Sequence, residues 1–213
     1  MSADREQGVL TAEDVRAATD VSRETLIRLE AYVDLLAKWQ KAVNLVGPST
    51  LKDVWRRHIL DSLQLMPYSP EQSASALDLG SGAGLPGLIL AIAGVKGMTL
   101  VESDARKVAF LREATRVTET ELEVFHGRIE TLPARKVDLV TARALTSVAG
   151  LLGYTWPYLQ PGGRCLFLKG RGVDDELKAA ESLWEMRVTK YPSRTAPDGV
   201  ILQLEGIRHV GDA

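Results

Sequence analysis

The sequence has few of the residues that form disulfides and metal centres. Its 213 residues include one cysteine, Cys165, and three histidines, at positions 58, 126 and 209. A single cysteine excludes an intrachain disulfide and is typical of a protein from a reducing compartment. These four residues do not have the spacing of a zinc site, so we expect no bound metal.

Long apolar runs and a strong net charge are also absent. The apolar run 85–95 is too short to cross a bilayer, so we expect no membrane partner. The first residues are polar and mixed in charge, unlike a signal peptide, and we expect a cytoplasmic protein. The net charge of −2 argues against a strongly basic nucleic-acid binder. Any contact with RNA must therefore come from a local patch.

The first third of the chain is predicted to be helical, and the rest alternates between strands and helices. Thr11 and Ser22 are suitable N-caps, and apolar residues recur at helical spacing within 26–39 and within 51–66. From residue 76 onward, short apolar runs alternate with helical stretches, which indicates a mostly parallel sheet covered on both faces. Strands are predicted at 76–79, 98–102, 122–125, 137–141, 164–168 and 200–205. Helices are predicted at 85–93, 104–118, 147–159 and 174–185.

This change of pattern divides the chain into two predicted regions. Residues 1–74 form an N-terminal helical region, and residues 75–213 form an α/β domain. Pro67 and Pro70 end the last helix of the first region, and residues 71–75 are the predicted linker.

The segment 77–87, with the sequence LDLGSGAGLPG, carries most of the functional information. A predicted strand runs directly into Gly80, Gly82 and Gly84, and Pro86 stands where a helix can begin. Glycine lets the backbone turn sharply and lets a ligand lie against the main chain. The helix that follows offers unpaired N–H groups. The segment therefore predicts a cofactor site.

Two cofactors fit the spacing of these glycines. Gly82, Gly84 and Gly87 match the fingerprint of NAD-binding enzymes, with Glu102 about twenty residues farther on. The other candidate is S-adenosylmethionine, and Asp78 favours it. A carboxylate beside the loop suits the amino group of a methionine moiety and repels a pyrophosphate. Glu102 can then accept hydrogen bonds from the ribose hydroxyls. We predict S-adenosylmethionine, with an NAD-binding oxidoreductase as the alternative.

Further motifs follow one another along the chain. They are RHILDSL at 57–63, ES at 102–103, RK at 106–107, FLR at 110–112, GRIE at 127–130, TARA at 141–144 and LKG at 168–170. Together with the glycine loop they resemble the bacterial small-subunit (16S) ribosomal RNA guanine-N7 methyltransferases, the glucose-inhibited division protein B family. The resemblance extends from about residue 39 to about residue 170.

The resemblance implies a Rossmann-like methyltransferase sheet with an N-terminal helical cap. It implies S-adenosylmethionine as the cofactor and small-subunit ribosomal RNA as the substrate. In the site, Gly80 and Leu85 would lie in the cofactor loop, Glu102 would hold the ribose, and Ile129 and Glu130 would flank the adenine. The nearly neutral net charge favours a partly assembled ribosomal particle over naked RNA, and we expect a monomer.

The chemistry of guanine N7 agrees with this resemblance. N7 has a free lone pair, so methylation needs alignment more than a general base. The segment TARA at 141–144 differs from the Asn/Asp-Pro-Pro-aromatic turn that serves exocyclic amines. Cys165, which carbon-5 methylation of a pyrimidine would need as a nucleophile, falls in a predicted core strand. A methyltransferase for another RNA, a protein or a small molecule stays open, as does a cofactor-binding module without catalysis.

Arg143 is the predicted catalytic residue, and the resemblance places it beside the cofactor as well. An arginine at a strand end can donate hydrogen bonds to guanine O6 or to a phosphate. The alternative for Arg143 is an ion pair with a carboxylate such as Glu130. Four further residues are predicted to contact RNA: Arg57, His58, Lys169 and Arg171. His58 lies on an apolar helix face, so it can equally be a side chain that only packs in the core.

Overall fold

A computed structural model describes residues 8–70 and 75–211 of the protein. Its strands are β1 (Ala76–Leu79), β2 (Met98–Glu102), β3 (Glu123–His126), β4 (Val137–Arg143), β5 (Leu159–Lys169), β6 (Trp184–Pro192) and β7 (Val200–His209). They form one sheet with the order β3-β2-β1-β4-β5-β7-β6. The first five strands in that order are parallel, and β7 is antiparallel to both of its neighbours. The predicted linker lies, apart from Ser75, outside the described residues.

The helices are α1 (Ala12–Thr19), α2 (Arg23–Trp39), α3 (Asp61–Leu63), α4 (Gly87–Ile92), α5 (Ala105–Val117), α6 (Val148–Thr155) and α7 (Val173–Ala180). The predicted N-caps are confirmed. The Thr11 hydroxyl accepts a hydrogen bond from the Asp14 amide, and the Asp14 carboxylate accepts one from the Thr11 amide. Ser22 accepts a hydrogen bond from the amide of Thr25. Such caps contribute about 1 kcal/mol each.

The third predicted helix is present in an irregular form. A 3₁₀ segment (Pro48–Asp53) continues into a π-helical segment (Trp55–Leu60) and then into α3. Apolar spacing does not distinguish these helix types, so the irregularity was not predicted. Wide π turns are frequent at functional sites, and this one carries two of the predicted RNA contacts, Arg57 and His58.

Two apolar cores cover the two faces of the sheet. On one face, Tyr32 and Leu36 of α2 pack in the same cluster as Leu88 of α4 and Phe110 of α5. On the other face, α6 and α7 pack against the sheet in a second cluster. The N-terminal helical region therefore shares a core with the α/β domain. Each fully buried large side chain contributes roughly 1.5–3 kcal/mol.

One strand was missed, and two helices were predicted too long. The helix predicted at 174–185 ends at Ala180, because Trp184 already begins β6. Leu177, Ala180 and Trp184 have helical spacing, but they belong to one buried cluster from two different elements. Likewise α6 ends at Thr155, short of the predicted residue 159. No helix in the described parts of the chain is long and apolar enough to span a membrane.

Candidate active site

Two clefts open at the carboxyl ends of the parallel strands. The first, of about 320 Å³, lies at the ends of β2 and β3, and we call it the Glu102 cleft. The second, of about 520 Å³, lies at the ends of β4 and β5 beside the 48–63 helical segment, and we call it the Arg143 cleft. Open α/β sheets bind ligands at this edge where the strand order reverses, which here is between β1 and β4.

The predicted site residues divide between these clefts. Four of the predicted cofactor residues line the Glu102 cleft: Gly80, Glu102, Ile129 and Glu130. The predicted catalytic residue and all four predicted RNA contacts line the Arg143 cleft: Arg57, His58, Arg143, Lys169 and Arg171. Ala144 lines both, so the clefts adjoin at the end of β4. Ala144 has a φ of 51°, a conformation that is uncommon for a non-glycine residue and that is enriched at functional sites.

Glu102 is buried and held by three backbone amides. Its Oε2 accepts a hydrogen bond from Gly82 N at 2.8 Å, and its Oε1 accepts from Ser103 N and Asp104 N at 2.8 Å each. A carboxylate has about four acceptor positions, so one stays open on Oε2. The carboxylate can therefore take one ribose hydroxyl without releasing an amide, whereas the sequence argument assigned it two.

Asp78 lies beneath the glycine loop, fully buried, and lines neither cleft. Its Oδ1 accepts a hydrogen bond from Thr141 Oγ1 at 2.7 Å, and its Oδ2 has no hydrogen-bond partner among the described residues. Burial raises the pKa of Asp78 to about 6, against the hydrogen bond from Thr141, which lowers it. A buried carboxylate with an unused oxygen suits a cationic partner. Its contact with a methionine amino group stays a prediction.

The three loop glycines all have positive φ, but they serve different purposes. A Cβ at Gly80 would lie 2.7 Å from the Leu145 side chain, and one at Gly84 would lie 2.7 Å from Leu88 Cβ. A Cβ at Gly82 would meet only the Gly80 carbonyl oxygen, at 3.9 Å. Gly84 therefore serves helix packing, as does Leu85, which is buried in the core. Gly82 is the position with open space for a ligand.

Arg143 is held by the irregular helical segment. Its Nη1 donates to Asp61 Oδ2 and to the Arg57 carbonyl, at 3.1 Å each, and both Nη atoms lie 3.3 Å from His58 Nδ1. The ion-pair partner is therefore Asp61 and not Glu130, which pairs with Arg128. Of the five N–H groups on the guanidinium, the Nε–H and one Nη2–H have no protein partner among the described residues. A cofactor contact of Arg143 stays a prediction.

The hydrogen bonds around His58 determine its tautomer. Thr50 Oγ1 donates to the Gly47 carbonyl at 2.6 Å, so it must accept from His58 Nε2, at 2.8 Å. Nδ1 is then unprotonated and accepts from Arg143. Burial, reinforced by the charges of Arg143 and Arg57, lowers the pKa of His58 to about 4. His58 is thus a neutral, buried support for Arg143, and its predicted contact with RNA is untested.

The remaining predicted RNA contacts differ in accessibility. Lys169 Nζ lies 2.6 Å from Glu176 Oε2 and donates to the Thr146 carbonyl, and its side chain is 11% exposed. Arg171 pairs with Asp198 at 2.7 Å, but its side chain is 87% exposed and such surface pairs exchange readily. Arg57 is exposed. Arg57 and Arg171 are therefore the two cations available on the rim.

Sequence reasoning missed the residues that hold the Arg143 cleft together. Asp61 Oδ1 accepts hydrogen bonds from Thr195 Oγ1 and from Gln64 Nε2. The sequence did contain a signal for Asp61. It lies three residues after His58 in a predicted helix, so the two side chains are expected on the same face of that helix. Thr195 lies in the β6–β7 loop, after the strand that was not predicted, and carried no signal.

Two solved structures with a similar fold are described as a methylase and as a protein in complex with AdoMet. The ribosomal protein L11 methylase from Lactobacillus delbrueckii subsp. bulgaricus superposes with a TM-score of 0.58 at 14% identity, covering 68% of this chain and 76% of that one. M. jannaschii TYW2 in complex with AdoMet gives a TM-score of 0.56 at 14% identity, covering 71% of this chain and 76% of that one. At these identities the likeness shows the Rossmann-like fold, as predicted.

Sequence relatives are much closer. The ribosomal RNA small subunit methyltransferase G of Paramagnetospirillum magneticum is 51% identical over 195 residues, covering 92% of this chain and 95% of the relative. The protein of the same description from Rhodospirillum centenum is 53% identical over 196 residues, covering 92% and 91%. The model of the GidB family, rRNA small subunit methyltransferase G, matches residues 25–198. The chain therefore belongs to the rRNA small subunit methyltransferase G family.

Proposed function

We propose that this protein transfers a methyl group from S-adenosylmethionine to N7 of a guanine in small-subunit (16S) ribosomal RNA. Membership of the family supports the reaction class. The observation that carries the assignment of roles is the position of Arg143, at the end of β4, beside the point where the two clefts adjoin. A cofactor in the Glu102 cleft and a base in the Arg143 cleft would meet there.

The residues of the Glu102 cleft fit S-adenosylmethionine, which supplies a methyl group already activated on a sulfonium. Glu102 has an open acceptor position for a ribose hydroxyl. Ile129 and Glu130 also line this cleft, and the adenine would lie against them. Asp78, which is buried beneath the glycine loop outside the lining of the cleft, has an unused carboxylate oxygen for the amino group. The same buried carboxylate disfavours NAD, because a pyrophosphate there would face a second negative charge.

The Arg143 cleft fits an acceptor atom that needs no deprotonation. Both ring nitrogens of His58 are engaged within the protein, and Asp61 is committed to Arg143, Thr195 and Gln64. Among the described lining residues, these groups are therefore not free to remove a proton. Guanine N7 attacks through its own lone pair, so positioning by the two unused N–H groups of the guanidinium is sufficient.

The charge distribution favours an assembled substrate. Arg57 and Arg171 are exposed cations on the rim, whereas the whole chain has a net charge of −2. Phosphate contacts dominate RNA affinity, so a partly assembled ribosomal particle, in which other molecules add contacts, is the expected substrate. We place the protein in the cytoplasm, where ribosomes are assembled. We expect it to act as a monomer, since one chain covers both faces of its sheet.

Nucleoside mass spectrometry tests this proposal. The protein is incubated with methyl-labelled S-adenosylmethionine and either naked 16S RNA or small-subunit particles, and the RNA is then digested. We expect labelled 7-methylguanosine, with a higher yield from particles. Label in a different nucleoside or in protein would contradict the proposal and show that the protein methylates that group instead. Calorimetric binding of NAD without binding of S-adenosylhomocysteine would support the oxidoreductase.

A further inference from the structure

Two buried tyrosine hydroxyls donate hydrogen bonds to segments beside the Glu102 cleft, one to the glycine loop and one to the turn at 129–131. Tyr32 of α2 is completely buried, and its hydroxyl donates to the Ala83 carbonyl at 2.7 Å. Tyr158, between α6 and β5, is 6% exposed, and its hydroxyl donates to the Ile129 carbonyl at 2.7 Å. Neither tyrosine lines the cleft. A phenylalanine would fill the same apolar space, so packing alone does not account for the two hydroxyl groups.

The Tyr32 hydrogen bond holds the carbonyl side of the Ala83–Gly84 peptide in the glycine loop, and the Gly84 amide of the same peptide donates to the Ser81 carbonyl at 2.7 Å. Ala83 lies between Gly82 and Gly84, which have φ values of 57° and 83°. Glycines have the greatest backbone freedom, so a contact from outside the loop adds to the internal hydrogen bond in holding one orientation. The Tyr32 ring itself is fixed by an edge-to-face contact with Phe110 at 6.1 Å. The N-terminal cap therefore restrains the loop through this hydrogen bond as well as through the apolar core that α2 shares with Ala83 and Leu85.

The Tyr158 hydrogen bond fixes a turn that lines the cleft. Its acceptor begins the short 3₁₀ turn Ile129–Thr131, which has no buried residue of its own. The Leu132 carbonyl, just after the turn, lies 3.3 Å from the same hydroxyl and is the weaker of its two acceptors. Ile129 and Glu130 of this turn line the cleft. The hydroxyl thus sets the position of the wall without contacting a ligand.

We propose that Tyr32 and Tyr158 are positioning residues for the cofactor site, which hold the glycine loop through the Ala83 carbonyl and the 129–131 wall of the cleft through the Ile129 carbonyl. This inference rests on the proposed cofactor. The two hydrogen bonds act on separate segments, so their effects on cofactor affinity add. Each segment is pre-formed before the cofactor binds, which lowers the entropy lost on binding.

The test uses Tyr32→Phe, Tyr158→Phe and the double variant, with Tyr68→Phe as the matched control. The Tyr68 ring stacks on Tyr191 at 4.0 Å, and its hydroxyl has no hydrogen-bond partner among the described residues. Calorimetry measures the Kd for S-adenosylhomocysteine. Hydrogen exchange of the cofactor-free protein measures the opening of residues 82–84 and 129–132.

We expect each single variant to raise the Kd about three- to tenfold, which corresponds to the loss of one hydrogen bond. The double variant should raise the Kd by about the product of the two single-variant factors. Exchange should accelerate at 82–84 only in Tyr32→Phe and at 129–132 only in Tyr158→Phe, with Tyr68→Phe unchanged. A fall in melting temperature with unchanged Kd and unchanged local exchange would overturn the proposal and leave both hydroxyls a purely structural role. Failure of the wild-type protein to bind would overturn the proposed cofactor and, with it, this inference.

Discussion

The two clefts at the carboxyl edge of the sheet are built in opposite ways. The Glu102 cleft is formed largely by the loops that directly follow β1, β2 and β3, and its central carboxylate, Glu102, is held by backbone amides. The Arg143 cleft consists of paired side chains from an irregular helical segment, two strand ends and the β6–β7 loop. Main chain suits a ligand of fixed shape, because its geometry is set by the sheet. Charged side chains need partners to hold them, and Arg143 has three.

The largest effect is expected at Arg143, and it would show that the two clefts have different functions. Replacing Arg143 with Ala should slow single-turnover methylation at saturating cofactor by roughly thirty- to a thousandfold, or about 2–4 kcal/mol. The Kd for S-adenosylhomocysteine should stay the same, because Arg143 does not line the Glu102 cleft. Arg143→Lys should also be slow, since an ammonium cannot reproduce the forked donor. Parallel losses of rate and cofactor affinity would assign Arg143 to the cofactor and contradict the comparison.

The reciprocal effect is expected at Glu102. Glu102→Ala removes the acceptor for three backbone amides as well as for the ribose. We expect calorimetry to show at least tenfold weaker binding of S-adenosylhomocysteine, with most of the single-turnover rate recovered at saturating cofactor. Glu102→Gln, which keeps the shape but brings an NH₂ group against a backbone N–H, should be intermediate. An unchanged Kd in the alanine variant would mean that a different acid holds the ribose.

A smaller effect should reveal a conflict between stability and binding at Asp78. Its raised pKa of about 6 means that the folded protein binds a proton more tightly than the unfolded chain, so stability falls as pH rises from about 4 to 6. Asp78→Asn removes this penalty and should stabilise the cofactor-free protein by about 1–2 kcal/mol at pH 8, while weakening cofactor binding. Urea unfolding measures the first effect and calorimetry the second. A variant that is less stable at pH 8 would contradict this role.

The smallest effect concerns His58, whose contribution to stability changes with pH in the opposite direction to that of Asp78. Because the folded pKa of about 4 lies below the usual 6.5, the unfolded chain binds the proton, and stability falls as pH drops from 6.5 to 4. Between pH 7 and pH 6 this amounts to about 0.7 kcal/mol. His58→Asn keeps an acceptor near Nδ1 and should lose that slope. Urea unfolding of both proteins at the two pH values checks it, because the Asp78 contribution cancels in the difference. An identical slope in both proteins would show that His58 is not buried neutral.

The clefts also differ in how far the sequence predicted them. Glu102 and the glycine loop lie in strand-loop-helix segments whose local pattern contains the whole signal, and the structure brings them together. Arg143 was predicted from its strand end, but its partner was not, since Asp61 is 82 residues away. The Tyr32 hydrogen bond to Ala83 spans 51 residues and had no sequence signal at all. Local sequence motifs predict backbone geometry, whereas contacts between residues distant in sequence depend on how the helices and strands pack together.

The same distinction explains the fold. Strands buried on both faces, such as β1 and β2, were predicted at their observed bounds because they are short, fully buried and mostly apolar runs. The edge strand β6 has one buried residue, Trp184, followed by partly and fully exposed residues, and it pairs with β7. Its charged residues gave no strand pattern, so the helix before it was extended through Trp184.

Hydrogen exchange with successive ligands tests the two-cleft account most directly. S-adenosylhomocysteine alone should protect the amides of residues 80–84, 102–104 and 129–132 and leave residues 57–61 and 168–171 unchanged. Adding small-subunit particles should then protect 57–61 and 168–171. Protection of residues 57–61 by S-adenosylhomocysteine alone, with no change at 102–104 or 129–132, would place the cofactor in the Arg143 cleft and contradict the account.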